Sequence, residues 1–318
     1  LGLLFKRLRS FLGGRGPDAL LNFSRMTNRP TVIVTGSSGL VGSGLVSYLS
    51  RRGFAVRAFQ RKIPEHPNPA VSYVPFNLEN VQDVGFAGAD YIVHCAYRPV
   101  VSSRERKSGR SIDIEATKRL IAIARRHNIR FIFLSTTSAH GESRSYYAKN
   151  KMLAESLFDM REDLVLKLGL VLGGNGGLFG KIKKMLRQHR VIPLISAGRQ
   201  RVQIIALDDL CRVIEVGINQ KIAGAYRIAH PFGISMKELY RGVARRLGVN
   251  PFFIPVPWLA AYILTKTAEG IRIKLPFTSQ NILGLKDLRI VDTTSSLEAF
   301  GLEIEDCQTA LSRLHFEQ

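Results

Sequence analysis

This chain of 318 residues is poor in the features that support disulfide, metal or membrane-spanning chemistry. Its three cysteines, Cys95, Cys211 and Cys307, are scattered and lack the paired spacing of a zinc site. Reduced thiols in a cytoplasmic setting are therefore expected, and no metal. No apolar run reaches the ~20 residues of a bilayer-spanning helix; Phe252–Leu264 comes nearest, and Pro255 and Pro257 interrupt it. Acid is scarce as well: 25 Asp and Glu stand against 46 Lys and Arg, for a formal net charge of +21. Between Asp163 and Asp208 there is no acid, while bases including Lys181, Arg199 and Arg201 accumulate. That balance suits an anionic small molecule, a phosphate-bearing ligand or an acidic surface. Nothing has the pattern of a nucleic-acid module, so no nucleic-acid partner is expected.

What remains is an ordinary apolar share of 45% arranged in a clear rhythm. Residues 1–30 read as a basic N-terminal extension. Leu4, Leu8, Phe11 and Leu12 share one helical face beside Lys6, Arg7 and Arg9, a pattern that suits peripheral contact with a membrane surface or part of a transit peptide; with Met26 just before the first strand, upstream sequence read through is the preferred expectation. From Thr31, short β-branched runs alternate with longer amphipathic ones. The expected strands are Thr31–Thr35, Ala55–Phe59, Val71–Phe76, Tyr91–His94, Phe131–Ser135 and Leu164–Leu168. The intervening helical patterns lie near Gly42–Arg52, Ser111–His127 and Tyr146–Asp159. Such βαβ alternation predicts an α/β, doubly wound parallel sheet of Rossmann type over 31–175. Beyond Gly173 the rhythm loosens, and 176–318 reads as a smaller, mostly helical substrate-binding lobe, with Val202–Ile205 a candidate to return a strand to the sheet.

Three constellations carry chemistry. The first is Thr35-Gly36-Ser37-Ser38-Gly39-Leu40-Val41-Gly42, directly after the first strand. Closely spaced glycines let the backbone turn sharply and approach a pyrophosphate at the positive end of the following helix. The second strand ends Gln60-Arg61-Lys62. Gln60 stands where a carboxylate would hold the ribose hydroxyls of NAD, and Arg61 and Lys62 suit a 2′-phosphate. NADP is the expected cofactor, with NAD the alternative. The last constellation is Tyr147 and Lys151, four apart and so on one helical face. An ammonium beside a phenol favours the phenolate and brings proton transfer into working range. Just upstream, Ser135-Thr136-Thr137-Ser138 ends a strand, where hydroxyls reach the ligand crevice and can hold a reacting oxygen.

In this order and on these elements, the motifs resemble the extended short-chain dehydrogenase/reductase superfamily of nucleotide-sugar epimerases, dehydratases and ketoreductases. The resemblance covers about Thr31 to Asp209 and includes His94-Cys95-Ala96, Ala154-Glu155 and Leu207-Asp208-Asp209. It implies that Thr136, counted back from Gly141, is the hydroxyl catalyst, Tyr147 the general acid/base and Lys151 the ligand of the nicotinamide ribose. It further implies cofactor contacts at Gly36, Ser38, Gly39, Leu40, Val41, Gly42, Arg61, Asn77 and Ala96, and a homodimer. Several positions depart from the pattern. Asn77 replaces an aspartate near the adenine, and Asp113 replaces an asparagine of the active-site helix. Val202 stands where sugar-nucleotide enzymes carry a diphosphate-binding arginine, for which Lys181, Arg199 and Arg201 are candidate substitutes. The implied activity is NAD(P)-dependent oxidation, reduction or epimerisation of a secondary alcohol or ketone, in the first place of a nucleotide sugar. Dehydration fits least, because Thr137-Ser138 offers no carboxylate. The stretches around Pro255-Val256-Pro257-Trp258 and Asn281 resemble atypical relatives of the superfamily, some of which bind NADP without turnover. A non-catalytic NADP-binding subunit is therefore the alternative.

Overall fold

The computed structural model describes residues 29–98, 111–174, 176–273, 275 and 277–314. The extension and its membrane-contact expectation thus fall almost wholly outside the described residues.

β1 (Thr31–Thr35) leads into α1 (Leu40–Arg51), followed by β2 (Ala55–Gln60), β3 (Val71–Pro75) and β4 (Tyr91–His94). Then come α2 (Ile112–Arg126), β5 (Arg130–Thr136), α3 (Tyr146–Glu155), β6 (Leu164–Leu168) and β7 (Leu170–Leu172). The second half holds α4 (Gly177–Gln188), β8 (Val191–Ile195), β9 (Arg201–Val202), β10 (Ile204–Ala206), α5 (Leu207–Asn219), β11 (Gly224–Ile228) and β12 (Ile234–Ser235). It ends with α6 (Met236–Leu247), β13 (Phe252–Val256), α7 (Trp258–Gly270), α8 (Ser279–Lys286), α9 (Thr294–Phe300) and α10 (Cys307–Arg313).

The main sheet has seven strands in the order β11-β6-β5-β4-β1-β2-β3, paired in parallel throughout. It is a Rossmann-type, doubly wound sheet. The β-branched runs explain it: a parallel sheet covered on both faces needs strands apolar on both sides, and Val32, Ile33 and Val34 are wholly buried. Alternate residues of β1 serve opposite layers. Val32 and Val34 join Leu45 and Leu49 of α1 and Ile214 of α5, whereas Ile33 joins Leu120 of α2 and Ala154 of α3. A third core, built on Phe179, Ile182, Leu239 and Val243, organises the C-terminal lobe.

The strand that returns to the main sheet is β11, paired with β6, and not Val202–Ile205. Val202 pairs with Ile234 in a small ribbon, and Ile204 opens a separate pairing with β7. β11 escapes a sequence reading because it is an edge strand, Gly-Ala-Tyr-Arg-Ile, with only Ile228 buried. Its apolar pattern is accordingly weak.

Candidate active site

The crevice forms where the carboxyl ends of β1, β4 and β5 meet. Gly36 adopts φ +64°, and a Cβ there would lie 2.6 Å from Ala96 Cα. A Cβ on Gly42 would lie 2.3 Å from the Gly36 carbonyl oxygen. Glycine at both positions is thus a steric requirement of a turn packed against the end of β4. Gly39 N–H donates to the Gly36 carbonyl at 2.9 Å and closes the turn. α1 begins at Gly39 with no side-chain cap and no acid in its first turn. Its first amides therefore face the crevice with their partial positive charge uncompensated by the protein. Leu40 and Val41 are half-buried on this first turn, and Ser38 is exposed at its mouth.

Gln60 is buried at the end of β2. It accepts from Ser37 Oγ at 2.9 Å and donates to the Lys62 carbonyl at 2.9 Å. A pocket of about 580 Å³ opens here, lined by Ser38, Ser43, Ser47, Lys62 and Tyr73 among others. Arg61 is exposed just past the strand. Asn77 is exposed as well, its side-chain oxygen accepting from Glu79 N–H at 3.1 Å.

Beneath the crevice runs a buried polar chain that the motifs did not disclose. Ala96 N–H donates to Thr35 Oγ at 3.3 Å, and Thr35 Oγ lies 2.7 Å from His94 Nδ1. His94 Nε2 is 3.5 Å from Thr117 Oγ, which donates to the Asp113 carbonyl at 2.6 Å. Burial, with Lys151 nearby, pulls the His94 pKa down to about 3, so the ring is neutral. The Thr117 proton is committed to Asp113, so Thr117 accepts from Nε2–H and Nδ1 accepts from Thr35. One consistent tautomer ties β1, β4 and α2 together.

Tyr147 and Lys151 lie on α3, whose start is held by the C-terminal lobe. Ser145 caps the helix, Asp287 Oδ2 accepts from Arg144 N–H and Ser145 N–H at 2.8 Å each, and Gln280 accepts from Tyr146 N–H at 2.8 Å. Tyr147 is 40% exposed, and its ring meets Tyr97 edge-on with centres 5.0 Å apart. Lys151 is buried; its Nζ donates to the Leu134 carbonyl at 2.7 Å and lies 4.5 Å from the Phe133 ring centre and 5.7 Å from that of Tyr97. Phenol and ammonium were expected side by side. Among the described residues no hydrogen bond joins them; both face Tyr97.

The electrostatics follow this arrangement. Desolvation of the phenol itself, in a residue that as a whole is 40% exposed, pushes Tyr147 up to about 12, and Asp113 reinforces the rise. Burial pulls Lys151 down to about 8, against the opposing charge of Asp113. Asp113 itself accepts from Arg98 N–H at 2.8 Å. Thr136 stands at the end of β5, its hydroxyl accepting from Ser138 N–H at 3.2 Å. Ser135 points the other way, to Glu155, which also holds Lys167 at 2.8 Å. Tyr97 is the site residue that the sequence reading overlooked; its place immediately after Ala96 at a strand end was the available signal.

The three candidate diphosphate-binding bases sit at the surface. Lys181 on α4, Arg199 and Arg201 are all exposed, and Arg201 donates to the Gly233 carbonyl. Val202 is buried in the core of the C-terminal lobe. Among the described residues no group of acids, histidines and cysteines could hold a metal ion.

The profile of the NAD dependent epimerase/dehydratase family matches residues 32–163, which hold the turn, Thr136, Tyr147 and Lys151. Over those residues, which make up less than half of the chain, the sequence is similar to that family. The match supports a coarse assignment to NAD(P)-dependent enzymes of the oxidoreductase or epimerase type. The chain is 25% identical over 239 residues to a ceramide reductase of Caulobacter vibrioides, spanning 72% of this chain and 74% of that protein. It is 33% identical over 124 residues to a 3-beta-hydroxysteroid dehydrogenase of Mycolicibacterium neoaurum, about a third of either chain (35% and 33%). Among solved structures, MoeE5 in complex with UDP-glucuronic acid and NAD superposes with a TM-score of 0.68 at 17% identity, covering 89% of this chain and 97% of that one. That last likeness speaks for the fold alone.

Proposed function

We propose that this chain interconverts a secondary alcohol and its ketone on an apolar, lipid-type substrate, using NADP. The observation that carries the redox reading is the contiguity of Gly36, Ala96, Tyr97 and Tyr147. The glycine turn abuts the end of β4, and the next ring along lies edge-on against the phenol. The residues fit a dinucleotide. A Cβ would fill the cradle at Gly36 and Gly42, and the uncapped, acid-free start of α1 suits a pyrophosphate. Gly36, Ser38, Gly39, Leu40, Val41 and Gly42 would hold the phosphates, with Asn77 toward the adenine and Ala96 and Lys151 toward the nicotinamide half. The choice of NADP is supported by the neutral Gln60, locked by Ser37, and by the hydroxyl-lined pocket with Lys62 and the adjoining Arg61.

When bound, the nicotinamide supplies or accepts a hydride at the substrate carbon. The chain's own residues manage the proton. A phenol raised to about 12 is protonated at neutral pH and so equipped to donate to a ketone oxygen during reduction. Thr136 would hold that same oxygen, and the oxygen would leave as the alcohol carrying the Tyr147 proton. In the reverse direction the phenolate accepts the proton, and a charged Lys151 stabilises it across Tyr97.

The apolar substrate is supported by Val202 lying buried where a diphosphate ligand would need a base, with Lys181, Arg199 and Arg201 exposed. The names of the two curated relatives, a ceramide reductase and a steroid dehydrogenase, point the same way. A nucleotide sugar is the second reading, favoured by a cavity of about 400 Å³ beyond Thr137 that Lys167, Arg227 and Arg289 line. Glu155 and Glu142 already pair with two of those bases, which leaves the cavity less cationic than its lining implies.

The test is cofactor oxidation by the purified protein with NADPH and a panel of long-chain 3-ketones, 3-ketosteroids and UDP-4-keto sugars. Turnover of the apolar ketones alone supports the reading; turnover of the UDP sugar alone transfers it to the second. Tyr147→Phe is expected to lower kcat by about 10²- to 10⁴-fold while NADPH binding is retained. No turnover by the wild type, with NADPH still bound, would assign the chain to the non-catalytic binders.

A further inference from the structure

The helix α7 is built inside out for a water-facing surface. Its inward positions carry small side chains, Ala261, Thr265 and Ala268, and these are the buried ones. The large aliphatic residues point outward: Leu259, Ile263 and Leu264 are 59%, 55% and 64% exposed. At about 100° per residue these outward positions span roughly 140° of the helix, a broad apolar face rather than a stray contact. Apolar exposure continues past the helix end through Ile271 and Ile273, 65% and 55% exposed. A single exposed leucine needs no explanation, but a contiguous patch of this kind marks an interaction surface.

The charge around the face says what it fits. From Leu239 to Lys286 the sequence has seven Lys and Arg and one acid, Glu269. Glu269 is engaged inward, accepting from Ser279 N–H at 2.6 Å and Ser279 Oγ at 2.9 Å. Lys266 and Arg272 stand exposed beside the aliphatic residues, and Lys286 Nζ lies 4.1 Å from the centre of the Trp258 ring. Trp258 and Tyr262 stack with centres 5.4 Å apart at the start of the helix. Aliphatic side chains flanked by aromatic rings and bases, with no free acid, are the composition of a helix lying in the plane of an anionic lipid interface. α7 has 13 residues, and among the described residues no helix is long and apolar enough to cross a bilayer.

We infer that α7, with the segment running to Ile273, docks this protein on an anionic membrane surface. The inference does not rest on the proposed reaction, and it concerns a different element from the basic N-terminal extension. The face lies one helix layer from the crevice, because α7 packs on α8 and α8 on α3, which carries Tyr147.

Trp258 is the only tryptophan, so the full chain carries its own reporter. The protein is mixed with vesicles of phosphatidylcholine alone and of phosphatidylcholine with phosphatidylglycerol. Co-sedimentation with the anionic vesicles is expected, with a blue shift of Trp258 emission, quenching by lipids brominated near the headgroup, and weakening as salt is raised. The double variant Ile263→Glu/Leu264→Glu changes only exposed positions. It should keep its circular dichroism and thermal midpoint and lose vesicle affinity by at least tenfold. Absence of vesicle binding overturns the inference, as does undiminished binding by the variant or binding without a change at Trp258. So does a variant that differs from the wild type only in oligomeric state, which would give the face to a second copy of the chain.

Discussion

At Lys151 the proposed function and stability oppose each other. A buried ammonium costs folding free energy, and its pKa, pulled down to about 8 from an ordinary value near 10.5, measures that cost. Below pH 8 both folded and unfolded states hold the proton, and the folded state bears the whole penalty. Between pH 8 and about 10.5 the unfolded chain binds more protons, so wild-type stability rises with pH. Lys151→Met is therefore expected to be more stable at pH 7, and its advantage to narrow by about 2–3 kcal/mol by pH 10, read from denaturant unfolding at each pH. The same variant should lose activity. Asp113 offers a second check at this scale. Its charge adds to burial in raising the Tyr147 phenol. Asp113→Asn should move the alkaline limb of kcat/KM for ketone reduction to lower pH while cofactor affinity changes by less than about threefold. A merely structural role would lower kcat and leave the limb in place.

Elements meet at the site through two devices. The first is the glycine turn, where Gly42→Ala would drive a methyl into the Gly36 carbonyl, 2.3 Å away and part of the backbone. The turn must shift, and NADPH affinity is expected to fall at least tenfold by fluorescence titration, with a drop in the thermal midpoint. The other is the support of α3 from the C-terminal lobe. Asp287 accepts two backbone N–H groups at the start of the helix that carries Tyr147. Asp287→Ala should cost about 2–3 kcal/mol of stability by urea unfolding, since bonds to a buried charge are the stronger kind. The motif residues were legible because each follows from local chemistry: glycines where the backbone must close on itself, and a tyrosine and a lysine one helical turn apart. Their supports were not. Asp287, Gln280 and Tyr97 are ordinary residues in sequence and become part of the site only when distant segments are brought together.

Across the whole molecule, Glu215 on α5 ties the second half of the chain to the first. It accepts from Tyr48 at 2.7 Å and Arg52 at 3.1 Å, with Arg29 at 3.4 Å. Burial alone would raise its pKa, yet these donors outweigh burial and hold it below the usual carboxylate value. Its contribution is thus present above the unfolded pKa and is lost as pH falls through the folded one. Glu215→Gln is expected to cost about 1–2 kcal/mol at pH 7, discounted for the half-exposed Arg52, with the difference from wild type closing in acid denaturation. By itself the sequence determined the parallel sheet over its first half. Runs such as Val32–Val34, apolar on both faces, have no stable home except between two helical layers. It determined as well the glycine turn and the spacing that sets Tyr147, rather than Tyr146, four residues before Lys151. The tertiary structure decided that β11 closes the sheet, that the Tyr97 ring lies near both the Tyr147 ring and the Lys151 ammonium, and that α7 turns its leucines outward. A weakly patterned edge strand, a ring meeting a ring 50 positions on and the direction a helix faces depend on long-range packing, which local pattern does not encode.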